Sequence, residues 1–200
     1  MDPRRPLTGF AELAERVRAA PPRLGATRLV CIDGPAGSGK TTFAARLAVA
    51  LGPGTTVLHM DDVYAGWTLD GAAARLTDGV LRPLADGRPG SYHRYDWIAE
   101  RFDDALTEVP VAEVLVVEGC GSSPRSLDGW ATLRVWVEAP HSLRLARGLA
   151  RDGDHLAEHW DRWQREEAAE FMREDTRARA DVRVDGAPPA SSGGFVLLSS

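Results

Sequence analysis

Gly34-Pro35-Ala36-Gly37-Ser38-Gly39-Lys40-Thr41 is the stretch on which the reading of this chain turns. Its spacing is G-x-x-x-x-G-K-[ST], in which glycines let backbone N–H groups close around an anion. Lys40 is the single lysine of the chain; every other strong positive charge is an arginine. A lysine is a compact charge on a flexible stem that can bend back over a loop to reach phosphates, whereas a planar guanidinium fork is bulkier and demands bidentate geometry. The exception to the arginine bias thus falls where a phosphate-binding loop needs it. Residues Gly34, Pro35, Ala36, Gly37, Ser38, Gly39, Lys40, Thr41 and Thr42 are the candidate nucleotide-binding set. The hydroxyl of Thr41 is placed to ligate Mg²⁺.

The flanks agree with the loop. Arg28-Leu-Val-Cys-Ile-Asp33 is a short apolar run of strand type, and Thr42 to Leu51 reads as a helix stopped by Gly52-Pro53. Strand, glycine loop and helix N-terminus together make one anion site. At 200 residues the chain fits one domain with a sizeable core, and 44% hydrophobic with 26% charged residues is ordinary for a globular protein. A net charge of -5 without a basic cluster argues against a nucleic-acid partner. No run reaches the roughly 18 apolar residues of a membrane helix, and the charged start Met1-Asp-Pro-Arg-Arg-Pro6 is unlike a signal peptide. Cys31 and Cys120 read as buried thiols, so the expected compartment is the cytoplasm.

Outward from the loop, periodicity predicts an N-terminal helix over Phe10 to Ala20 within a leading segment 1–27, and a second strand, Thr55 to Met60, running into Asp61-Asp62. Gly71 to Ala85 has helical spacing, Ser91 to Trp97 reads as irregular or a short strand, and Ile98 to Leu106 as helix. Glu113 to Glu118 is a wholly apolar strand closed by a carboxylate, and Thr132 to Val137 the next strand. His141 to Asp152 and His155 to Ala180 form a charged helical segment, followed by a short strand at Asp181 to Val184. Residues 187–200 read as a flexible tail. Five strands alternating with helices predict an α/β fold: a parallel sheet covered on both faces, with ligands at the strands' carboxyl ends.

Those ends carry Asp61, Asp62 and Glu118. A phosphoryl transfer needs a carboxylate to orient or accept the acceptor hydroxyl's proton, and oxygen ligands for Mg²⁺. Thr41, Glu118 and Asp61 are the candidate metal ligands. Arg144, Arg147 and Arg151 share one helix face. Trp160 and Trp163, one turn apart, are read as packing residues rather than a base-stacking pair. His59 and His93 have no partner at ligand spacing and are assigned no metal.

Taken together, these residues resemble the uridine kinase group of P-loop kinases, whose relatives include nicotinamide riboside kinase and phosphoribulokinase. The likeness covers about residues 28–186. Asp61-Asp62-Val63-Tyr64 is similar to the group's Asp-x-Phe-Tyr, Glu118-Gly119 to its Glu-Gly, His141 to Asp152 to its lid entry, and Ala180-Asp181-Val182 to its Ala-Asp-Val strand. The resemblance implies a P-loop NTPase fold with an Arg-rich helical lid over about 141–180. It also implies ATP as phosphoryl donor, Asp61 and Lys40 as catalytic groups, Arg147 and Arg151 on the transferring phosphate, and Tyr64, Tyr95 and Asp96 beside the acceptor. The group's sugar-binding Phe-Asp-x-Pro is missing, with Asp70 as its candidate substitute, and Glu100 is a further candidate acceptor residue. Gly87-Arg88 and Tyr95-Asp96-Trp97 stand where the group carries Gly-Lys and Tyr-Asp-Phe, and Glu100 stands where uridine kinases carry a base-reading histidine. An ionised Glu only accepts hydrogen bonds, so a pocket built on it favours a hydroxylated or cationic small molecule over a pyrimidine. A kinase for another metabolite or an antibiotic, and an ATP-hydrolysing regulatory protein, are the alternatives.

Overall fold

The computed structural model describes residues 9–187 and 195–198. Its framework is a six-stranded sheet in the order β2-β5-β1-β6-β7-β8. The strands are β1 (Arg28–Asp33), β2 (Thr55–His59), β5 (Val114–Glu118), β6 (Ala131–Glu138), β7 (Val182–Asp185) and β8 (Val196–Leu197). The first five pair in parallel, and β8 is antiparallel to β7. The expected five-stranded parallel sheet therefore carries a sixth, antiparallel edge strand, supplied by part of the segment read as a tail. Residues 188–194 of that tail, like the leading residues 1–8, lie outside the described residues.

Central strands of a parallel sheet are covered on both faces and read as continuous apolar runs. Successive side chains point to opposite faces, and the two core layers divide accordingly. Val30, Ile32, Val114 and Val116 pack with Leu13 and Val17 of α1 (Phe10–Ala19) and Phe43 and Leu47 of α2 (Lys40–Leu51). Leu29, Cys31, Leu115 and Val117 pack on the other side. Their partners include Leu76 of α3 (Ala72–Leu76), Val80 and Leu81 of the π-helical turn Thr77–Leu81, and Leu84 of α4 (Arg82–Ala85). Both cysteines are free and buried. Helices α5 (His141–Asp152), α6 (Ala157–Glu174) and α7 (Thr176–Arg179) connect β6 to β7, with Trp160 and Trp163 buried as expected. Among the described residues, no helix is long and apolar enough to cross a membrane.

One element corrects the sequence reading. Ile98 to Leu106 is not helical: β3 (Gly90–Asp96) and β4 (Arg101–Val109) form an antiparallel hairpin apart from the main sheet. Glu100, in the connection between them, takes a left-handed φ of 52°. Phe102 and Leu106 are four apart and imitate a helical stripe, yet Leu106 is exposed and faces no core. Backbone pairing decided this segment.

Candidate active site

Strand register gathers the chemistry at one edge. Ile32 of β1 and His59 of β2 both lie level with Glu118 of β5, so the loops leaving all three strands open on one spot. Thr41 Oγ1 donates to Glu118 Oε1 at 3.1 Å, across 77 residues of sequence. His59 Nδ1 lies 2.6 Å from the same oxygen. That hydrogen bond, against the opposing effect of burial, holds His59 above its ordinary pKa. His59 is a contributor that sequence spacing missed, because its partner is reached only through the sheet.

Lys40 is buried, with Nζ donating to Pro35 O at 3.0 Å and lying 3.6 Å from Cys120 Sγ. Burial works against its charge, but Cys120, Glu118, Glu167 and Asp33 outweigh that and keep its pKa above the usual value. Asp33, buried at the end of β1, accepts from Gly34 N (2.7 Å), Gly121 N (3.0 Å) and Ser123 N (2.9 Å). It thereby ties the phosphate loop to the loop after β5. Burial pushes its carboxyl up to about 6, despite those amides and Lys40.

Asp61 and Asp62 sit in a 3-10 turn, Met60–Asp62, directly after β2. Asp61 is exposed, with Glu118, Lys40, Arg151 and His59 within electrostatic reach. Desolvation and then Glu118 raise its pKa, while Lys40, Arg151 and His59 pull it down. Asp62 turns the other way, accepting from Tyr92 (3.1 Å) and Arg94 (2.9 Å) of β3. The two neighbours thus divide: Asp61 faces the site and Asp62 braces the hairpin.

Beside Asp61 opens a cavity of about 530 Å³, lined by residues that include Trp67, Tyr95, Trp97, Glu100, His159 and Glu166. Trp97 Nε1 donates to Asp61 O at 3.0 Å, which fixes this wall against the turn. A second concavity, about 580 Å³, is lined by residues of α6 alone, none of them from the loop 34–41. Of the acceptor residues expected from sequence, Tyr95 and Glu100 line the first cavity. The other three do not. Tyr64 is 2% exposed, its hydroxyl donating to Cys120 O at 2.8 Å and its ring packed on Trp163, so it belongs to the core. Asp96 accepts from Ile98 N and Ala99 N and caps the hairpin turn. Asp70 is exposed on the loop before α3. Trp67, His159 and Glu166 were missed, since neither position nor spacing marks them.

Two arginines of α5, Arg147 and Arg151, stand beside the loop. Arg147 Nη1 donates to Gly37 O (3.2 Å) and Gly186 O (3.1 Å), so it grips backbone. Arg151 makes a two-pronged contact with Asp152 and lies within electrostatic reach of Asp61. Gly37 is left-handed (φ 76°), and a Cβ there would collide with the backbone of Arg144. Gly186, at the end of β7, presses as closely on the carbonyl of Ser38. The loop is held between α5 and the last parallel strand.

Ser38 Oγ is buried without a protein partner, and Thr41 with Glu118 offers hard oxygen donors of the kind Mg²⁺ takes. The residues present fit a phosphate and a Mg²⁺ ion. Among the described residues, no three or more His, Cys, Asp or Glu side chains gather into a full metal cage. Mg²⁺ needs none, because it keeps several waters and uses one or two carboxylates. Asp61 is near Glu118 without joining it in such a set.

Parallel sheet, glycine loop at a helix N-terminus and carboxylates at neighbouring strand ends make an α/β fold consistent with that of P-loop proteins. No family model and no curated protein matches this chain. Solved structures do. A candidate uridine kinase from Bacillus stearothermophilus superposes with a TM-score of 0.64 at 20% identity, covering 87% of this chain and 96% of that one. A candidate fructose transport system kinase from Silicibacter sp. TM1040 superposes at 0.57 with 21% identity, covering 87% and 98%. This chain shares their fold.

Proposed function

We propose that this protein is a phosphotransferase that moves the γ-phosphate of ATP to a hydroxyl of a small molecule. The observation that carries the reading is the Thr41–Glu118 contact: the phosphate loop and a remote strand end meet where a metal-bound triphosphate would lie. Backbone amides of the loop, with Lys40, would hold the phosphates. Thr41 and Glu118 would hold Mg²⁺, which when bound neutralises charge on the phosphate oxygens. Asp61, beside the aromatic cavity, takes the proton of the acceptor hydroxyl. Arg151, in electrostatic reach of Asp61, adds positive charge where the phosphoryl group passes. The catalysis is positioning plus electrostatics.

The two structural neighbours are described for a nucleoside and a sugar, which supports a sugar-type hydroxyl as acceptor. The cavity's aromatic walls and Glu100 suit such a polyhydroxylated molecule, with a ribosyl unit the leading candidate. The test is ADP release with Mg²⁺ across a panel of sugars, nucleosides and hydroxylated amines. We expect release to depend on one acceptor class and to collapse in Glu118→Gln. Equal ADP release with no acceptor present would instead favour an ATP-hydrolysing regulatory protein.

A further inference from the structure

Glu167 is a carboxylate in the middle of α6, 2% exposed, with its two oxygens fully engaged. Oε2 accepts from Ala36 N at 2.7 Å and Trp163 Nε1 at 3.1 Å, and Cys120 Sγ lies 3.3 Å away. Oε1 pairs with Arg144 Nη1 at 3.1 Å. The same Nη1 donates to Ala36 O at 3.1 Å, while Arg144 Nε donates to Ala139 O at 3.2 Å. Both polar groups of one phosphate-loop residue are therefore held from the lid side: the N–H of Ala36 by Glu167 and its C=O by Arg144. A buried ion pair costs desolvation and by itself says little about stability. Here it is spent on a loop whose working parts are backbone amides.

We propose that Glu167, paired with Arg144, is a positioning residue that fixes the phosphate-loop backbone in its anion-binding shape. The lid segment is then two parts: an anchored base at Arg144 and Glu167, and a more exposed end carrying Arg151. The inference rests on the reading of residues 34–42 as an ATP site. Amides aimed at an anion work only if their directions are fixed beforehand, and a displacement of about 1 Å costs on the order of 100-fold. In Glu167→Gln one oxygen becomes an NH₂ group, which must face either the Ala36 N–H or the Arg144 guanidinium, donor against donor.

The experiment is calorimetric titration of Mg·ATP into the native chain and into Glu167→Gln, at a temperature where circular dichroism shows both folded. We expect the dissociation constant to rise at least tenfold in the variant. Trp163→Phe is the control: it removes a different hydrogen bond to the same carboxylate and should lower Tm while leaving the dissociation constant unchanged. Should Glu167→Gln fail to fold, Arg144→Lys replaces it. That variant keeps the charge but cannot grip both Ala36 O and Glu167, and we expect a several-fold rise. Unaltered ATP affinity in the folded variant, or an equal loss in Trp163→Phe, overturns the proposal and leaves the functional reading standing. A native chain that binds no Mg·ATP overturns both.

Discussion

Two adjacent aspartates of identical chemistry have opposite surroundings, and their substitutions should separate. Asp61→Asn should lower kcat by about 10²–10⁴-fold, the range for a lost general base, with ATP affinity retained. Asp62→Ala releases Tyr92 and the largely exposed Arg94, so it should cost about 1 kcal/mol of stability and little turnover. Steady-state kinetics beside thermal denaturation distinguishes them, and an equal loss of kcat at both would refute the assignment. The pH profile adds a sign. Desolvation and Glu118 hold Asp61 above the ordinary 3.8, and a base must be ionised to act. The acid limb of kcat/KM should therefore lie above that value, with rate falling as pH drops through it. Arg151 pulls Asp61 the other way, so Arg151→Ala should move the limb to higher pH while reducing kcat more than ATP affinity. A limb that stays in place would remove Arg151 from the site. At this scale the sequence was most informative where chemistry is local. Lys40 and Thr41 stand in a fixed pattern, and Glu118 ends an apolar run. Asp33, His59 and Glu167 were illegible because each is defined by a partner brought in by the fold. Tyr64 misled for the complementary reason: a motif position names a residue type, not whether its side chain faces a cavity or the core.

Elements were legible where burial imposes a period. The apolar runs of β1 and β5 and the stripe of α2 are the core itself, so they show in sequence. The hairpin is different. Most of β4 is exposed, so its apolar residues carry no period worth reading, and the strand exists through pairing with β3. Strand β8 was hidden because its partner β7 lies beyond an intervening Pro- and Gly-rich segment. It is also the element whose attachment can be measured. Phe195, just before β8, packs edge-on against Phe10 of α1 and Phe43 of α2. Phe195→Ala should destabilise by about 3 kcal/mol, the lower end for a buried Phe truncation. Urea unfolding checks this, and a change below about 0.5 kcal/mol would mean that the contact contributes nothing.

For the whole molecule, class was readable from the alternation of strands with helices around one loop. The convergence of strand ends was not, since sheet order is set by packing. That convergence has a stability signature. Asp33 carries a carboxyl raised from 3.8 to about 6 in the fold. The folded state thus holds its proton more tightly than the unfolded chain. Its contribution is greatest below pH 4 and is lost as pH rises to about 6, a swing of about 3 kcal/mol. Asp33→Asn should flatten the dependence between pH 4 and 7 in denaturant titrations, while lowering stability overall because one amide meets an NH₂ group. A variant with the native slope would assign the dependence elsewhere.

Gly186 lying against Ser38 has a consequence for biosynthesis. The loop is encoded well ahead of the strand end that closes its outer side, so the two leave the ribosome at different times. A nascent chain arrested before Gly186 has emerged should show the loop sequence and yet retain no ATP on an affinity resin. The ligand would then be unable to act as a template during translation. Its capture would report instead that the chain has emerged past Gly186.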